Sequence, residues 1–298
     1  MEQNNNNNSN NLIYIDSHCH LQDYSENDLE KILESCKKEN FSILYSNATN
    51  NKDFEKNLKI SEKYSSDKTK IISGFGFHPW YLDYPINNEK IWIEELKEFI
   101  KINLIDKNKN FFIGEIGIDG GKIKKTFSLE TQIEIFKKQI ELANELNVLV
   151  HIHCVYEWDK LFKILNNMKI ENLIKNNKII LHCFQGKKKH IEKFNNLNCY
   201  FSISSGCFTK GNFEMLKNLP NNKILFESDS PSMFNKEIYS NENEYKHFYN
   251  EDKKNNSPES IKFLCKKFAE LKEINEIEFC NIIYNNSLKV FNDNFNKI

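Results

Sequence analysis

Arginine is missing from this chain of 298 residues, so all 41 basic side chains are lysines. No bidentate guanidinium clamp is therefore available, and any bound anion must be met by lysine, histidine, hydroxyls or backbone N–H groups. Net charge is nearly absent as well, at −1 near neutral pH. That balance argues against a protein that coats nucleic acid through a broad basic face. No apolar run approaches the roughly 20 residues that a membrane-spanning helix needs. Met1 to Asn11 contains neither the basic nor the apolar segment of a secretory signal, so the chain is expected in the cytoplasm, with access to a nucleus left open. This Asn-rich stretch cannot bury enough surface to order itself, and residues 1–11 are expected to form a loose tail. Eight cysteines are present, but no CxxC pair occurs. Cys19, Cys154 and Cys183 each adjoin a histidine inside strand-like runs and read as reduced core thiols. No Gly-rich phosphate fingerprint follows the first such run, which counts against an open doubly wound sheet.

What the sequence does contain is alternation. Eight short apolar, β-branched or aromatic runs recur: Leu12–Ile15, Phe41–Tyr45, Ile71–Phe77, Phe111–Ile116, Val148–His153, Lys178–Cys183, Cys199–Ile203 and Lys223–Phe226. Such runs suit strands buried on both faces of a parallel sheet. Helical spacing fills most of the gaps. Leu29, Ile32, Leu33 and Cys36 form one stripe over Asp28–Lys38, and Ile133, Phe136, Ile140 and Ala143 form another after an N-cap at Ser128. Ser257-Pro258 predicts an N-cap with proline at the first helical position, opening a helix toward Leu271. A final helix over about Glu276 to Phe291 is expected to pack outside the barrel. Eightfold strand–helix alternation predicts a closed (β/α)₈ barrel over residues 12–298, with no internal repeat or linker.

Barrels of this kind gather their chemistry at the C-terminal ends of the strands. His18 and His20 follow the first run two residues apart and so share a face. Glu115 ends the fourth run, His151 and His153 the fifth, and His182 the sixth; Asp229 follows the eighth. One such histidine pair is often a satisfied core feature. Imidazoles and carboxylates at five strand ends would be uncompensated in one pocket without cations, so a metal centre is expected. Spacing alone does not divide these ligands between ions.

The segments "IDSHCHL", "GFGFHPW", "GEIGID", "HCFQG" and "FESDSP" resemble the TatD family of metal-dependent deoxyribonucleases, on amidohydrolase-like barrels. The likeness runs from about Ile15 to Phe291, with Gln132, Phe136, Gln139, Asn256-Ser257-Pro258 and Asn286-Ser287 as further matches. The resemblance implies two divalent cations. One would be held by His18, His20, Glu115 and Asp229. The second would be held by His151 and His182, with Glu115 bridging. It also implies hydrolysis of DNA phosphodiester bonds, mostly from the 3′ end, with Asp229 handling the attacking water and His78 meeting a substrate phosphate. Asp16 and Glu227 share strand faces with ligands and are expected to orient them. Imidazole-rich donors favour Zn²⁺ or Mn²⁺ over the oxygen-preferring Mg²⁺, though the sequence does not separate the three.

The chain departs from the family where phosphate is bound. Many members carry His-x-Arg after the fifth strand, where this chain has His153, and Asp-Tyr after the fourth, where it has Asp119-Gly120. Replacement cations are expected from Lys122, Lys124 and Lys125, and from Lys187 to Lys189 with His190. Two alternatives to a DNA-directed nuclease are a metal-dependent hydrolase of a small amide, lactone or ester, and an idle barrel serving as a scaffold. The first would commonly place lysine where Glu115 stands, and the second would have lost a ligand. DNA is the expected partner, with no membrane and no obligate protein.

Overall fold

The computed structural model describes residues 12–82, 89–121, 127–174, 178–246 and 256–295. The Asn-rich tail and the lysines at 122, 124 and 125 lie outside them. Eight parallel strands stand in the order of the sequence: β1 Tyr14–Cys19, β2 Phe41–Asn47, β3 Lys70–Phe75, β4 Phe111–Asp119, β5 Val150–Val155, β6 Ile179–Leu181, β7 Tyr200–Ile203 and β8 Ile224–Phe226. Helices α1 Glu26–Lys38, α2 Asn51–Tyr64, α3 Glu89–Ile100, α4 Leu129–Leu146, α5 Trp158–Ile170, α6 Lys188–Asn196 and α7 Phe213–Asn218 link successive strands, and α8 Ser260–Lys272 and α9 Glu276–Phe295 follow β8. The barrel is joined beyond the end of β8. The Asp229 N–H donates to the His18 carbonyl at 2.9 Å, and the His20 N–H to the Ser230 carbonyl at 2.8 Å.

Strand ends differ from those of the apolar runs in both directions: β3 and β6 stop two residues short, at Phe75 and Leu181, and β2 runs on to Asn47. β1, β4 and β5 extend through Cys19, Asp119 and Val155, past the last residue of each run. The extensions of β1 and β4 carry buried polar residues, Asp16, Ser17, His18 and Asp119. The helix after Ser257-Pro258 also starts later than expected. Ser257 Oγ accepts the Glu259 N–H, but Ser260, Ile261 and Lys262 bond carbonyls three residues back. A tighter 3₁₀ turn therefore precedes the α-helix. Ser128 caps α4 as expected, accepting the Thr131 N–H at 3.2 Å.

Two apolar layers fix the site. The larger packs helices against the outer sheet face. The smaller joins Ile15, Ile43, Tyr45, Ile72, Phe112, Ile180, Tyr200 and Leu225, drawn from seven of the strands, and fills the barrel interior. Val290 of α9 belongs to this inner cluster, with Tyr284 and Phe291 packed against it. The last helix thus lies outside the strands yet reaches into the barrel core. No helix among the described residues is long and apolar enough to cross a membrane.

Candidate active site

Glu115 is the hub of the mouth. Its two oxygens face different groups of imidazoles. Oε2 lies 3.4 Å from Nε2 of both His18 and His20. Oε1 lies 3.1 Å from His153 Nδ1, 3.3 Å from His78 Nε2 and 3.6 Å from His182 Nε2. The carboxylate reaches this position from β4, where Gly114 precedes it. A Cβ on Gly114 would stand 2.8 Å from the His151 Cβ, so only glycine lets the two strands bring their side chains so close.

The first group has the dimensions of a cation site. Donor atoms about 2.1 Å from one tetrahedral ion stand about 3.4 Å from each other. His18 and His20 Nε2 are 3.3 Å apart, and Asp229 Oδ1 lies 3.3 Å from His20 Nε2 and 3.9 Å from His18 Nε2. The His20 ring is set by its other nitrogen, which faces the Asn47 carbonyl at 2.9 Å. Donation from Nδ1 leaves Nε2 as the lone-pair nitrogen, the form a metal needs. Asp229 itself has φ 51°, and Cys183, next to His182, has φ 44°. Both residues turn the chain sharply at a strand end, a left-handed conformation that aspartate tolerates better than most.

Around the second oxygen the arrangement differs from the expected division. Glu115, His78 and His153 present ligand atoms within 4.8 Å of one another, as do His18, His182 and Glu227. His151 belongs to neither group. Its ring stacks on Phe112 at 4.1 Å, and neither of its buried nitrogens has a hydrogen-bond partner among the described residues. An orphaned buried imidazole costs about 1–3 kcal/mol, and a cation would relieve that cost. The donors present therefore fit metal on both sides of Glu115.

Supporting contacts hold these rings. Glu227 Oε1 lies 3.0 Å from His182 Nδ1 and accepts the Cys183 N–H at 2.7 Å. The Asp16 oxygens accept from the Ser228 N–H at 3.0 Å, the Ser228 hydroxyl at 2.6 Å and the His18 N–H at 3.1 Å. Asp16 thereby pins β1 to the chain beyond β8, and burial pushes its carboxyl up to about 8. Asp119 is a residue that sequence reading passed over as a mere departure from pattern. It faces His153 Nε2 at 3.0 Å and accepts the Trp80 indole N–H at 2.7 Å and the Gly121 N–H at 2.6 Å.

Burial and charge compete throughout. Desolvation alone would raise Glu115, but the surrounding His78, His182 and His18 and the His153 bond hold it well below the usual carboxylate range. Burial lowers His18, His151 and His78, the last to about 4. Burial would lower His20 too, yet its bond to Asp229 and the charge of Glu115 carry it up to about 9. His153 is likewise raised, as Asp119 and Glu115 outweigh desolvation. On the sixth-strand side, His190 is not a free cation. Its Nδ1 accepts the Lys187 N–H at 2.8 Å and its Nε2 lies 3.3 Å from Asp159, which also pairs with Lys189 and Lys193.

The model of the TatD related DNase family matches residues 15–292. The human protein named Deoxyribonuclease TATDN3 is 27% identical over 286 residues, covering 93% of this chain and 94% of its own. A Methanocaldococcus jannaschii protein described as an uncharacterized metal-dependent hydrolase is 28% identical over 280 residues, with 93% and 96% covered. Among solved structures, a TatD family hydrolase from Entamoeba histolytica superposes with a TM-score of 0.77 at 21% identity, over 95% of this chain and 98% of that one.

Proposed function

Because the chain belongs to the TatD related DNase family, a family of metal-dependent phosphodiester hydrolases, we propose that it degrades DNA from the 3′ end through a site for two divalent cations. The observation that carries this reading is Glu115, whose two oxygens face separate imidazole groups, the arrangement a bridging carboxylate requires. His18, His20, Glu115 and Asp229 would hold one cation; Glu115, His151 and His182 would hold the other. Divalent cations held by these residues would neutralise a phosphodiester and lower the pKa of water so that hydroxide could form near neutral pH.

The side chains have the remaining tasks. Asp229 accepts the proton of the attacking water. His78 meets the phosphate oxygens, and His153, which stands where many chains of the family carry arginine, adds positive charge beside them while Glu115 and Asp119 engage its two nitrogens. Glu227 keeps His182 in register, and the Asn47 carbonyl keeps His20 in its metal-binding tautomer. DNA is the substrate that the names of the relatives favour, and Zn²⁺, Mn²⁺ and Mg²⁺ are all to be tried.

The test is digestion of single-stranded oligonucleotides by protein loaded with each cation, beside a 3′-blocked strand and a panel of amides and esters. Expected are shortening that EDTA stops, protection by the 3′ block, and loss of most activity in Asp229→Asn. Glu115→Ala should lose metal from both positions and His151→Ala mainly from one. Intact DNA beside a metal-dependent amide hydrolysis would replace the nuclease with a small-molecule hydrolase.

A further inference from the structure

Beside the mouth, between the chain following β5 and the chain following β6, lies a hollow of about 580 Å³, within the range of small-molecule sites. Its floor is apolar: Cys154 and Trp158 are buried, and the Trp158 ring packs on Phe184 at 4.7 Å. Its rim carries Tyr156, Gln185 and Lys187. Tyr156 is 83% exposed and has φ 61°, a backbone conformation uncommon for a bulky side chain. Its ring stacks on no other ring among the described residues. An aromatic displayed to solvent on such a backbone is a candidate contact surface rather than packing.

The hollow is wired to the active site. Gly121 lies against the Tyr156 ring, since a Cβ there would stand 3.8 Å from Cε2. The Gly121 N–H donates to Asp119, which holds His153, which in turn meets Glu115. Charge on the rim is uneven. Asp159 is occupied by Lys189 and Lys193, whereas Lys187 has no carboxylate within ion-pair distance among the described residues and is exposed.

We propose that this hollow is a subsite for a nucleotide flanking the scissile phosphate, with its base stacked on Tyr156 and its phosphate met by Lys187. The proposal rests on the nuclease reading and names where the strand lies. Stacking on one ring tolerates every base, because each has a π face. A lone lysine suits a chain that has no arginine to offer. The subsite therefore grips a strand without reading its sequence.

The experiment moves a single abasic position along the last nucleotides of an oligonucleotide and measures KM and kcat. For the wild type, one position should raise KM about tenfold, within the range of base–aromatic stacking. Tyr156→Ala should show the raised KM on the intact strand and no further rise at that position, while Tyr156→Phe keeps the wild-type profile. Lys187→Ala should flatten the salt dependence of KM by about 0.7 in logarithmic slope, the share of one single-strand phosphate. Unchanged melting temperatures of the variants establish that each folds. A flat abasic profile in an active wild type, or a Tyr156→Ala profile that copies the wild type, overturns the subsite alone. A wild type that cleaves no oligonucleotide overturns the nuclease reading with it.

Discussion

His153 shows how one side chain can take over a role by borrowing charge. Neutral imidazole is a poor substitute for arginine at a phosphate, but protonated imidazole brings a positive charge, here with its two N–H groups held by Glu115 and Asp119. Burial alone would keep the ring neutral; Asp119 and Glu115 raise its pKa above the ordinary value. A raised pKa means the cation is present below it and is lost as pH rises through it. In the proposed enzyme, kcat/KM should therefore fall on the alkaline side as His153 loses its proton. Asp119→Asn removes one of the two supporting charges and should move that fall to lower pH by about one unit, with metal content unchanged. A pH profile identical to that of the wild type would remove the cationic role from His153.

At the scale of elements, α4 acts as a clamp on two site segments. Gln139 accepts the Phe77 N–H at 2.7 Å and donates to the Phe77 carbonyl at 3.2 Å, just before His78. Gln132 treats Asp119 in the same way, at 2.7 and 3.3 Å. The two glutamines are seven residues apart, two helical turns, so one buried face of α4 serves both loops. Each bond pair satisfies a backbone N–H and C=O in segments that must leave the sheet pattern to form the mouth. Gln139→Ala should lower stability by about 1–3 kcal/mol, the cost of leaving those groups buried and unpaired. Thermal or denaturant unfolding measures it. The same variant should also raise KM, since His78 loses its anchor, whereas Gln139→Glu should rescue only the accepted bond.

For the whole molecule, the site is a cost that the rest of the barrel carries. His18, Glu115, His151 and Glu227 are all buried, and His18 and His151 retain ring nitrogens without partners among the described residues. Cations that bind only the folded chain should therefore stabilise it. At a free cation level of about 100 times Kd the gain is about 2.7 kcal/mol, which in a protein of this size raises Tm by about 4 °C. Calorimetry with and without EDTA should show that difference. Glu115→Ala should largely abolish it, while a cation-independent Tm in the wild type would argue against any structural coupling of the site.

The strand–helix alternation alone carried the fold. Buried parallel strands leave continuous apolar runs, and each observed strand overlaps one of them. Strand ends were less legible: Asp16 to Cys19, Ser46 to Asn47 and Asp119 are strand in structure yet largely polar, whereas Gly76 to Phe77 and His182 to Cys183 fall outside β3 and β6. The histidines and carboxylates at five strand ends were legible in position, and the structure brings His18, His20, Glu115, His182 and Asp229 together at the mouth.

What the linear sequence determined is composition and position: which donors exist, at which strand ends they stand, and that no arginine joins them. Only the tertiary structure decided which donors meet. Facing and distance across a barrel depend on strand tilt and register, which spacing along one strand does not contain. That is why Glu115 divides its oxygens between His18 with His20 and the group of His78, His153 and His182, and why Asp119 becomes the partner of His153 across β4 and β5. Asp16, by contrast, is drawn to Ser228 because two strands 212 residues apart in sequence must be joined there.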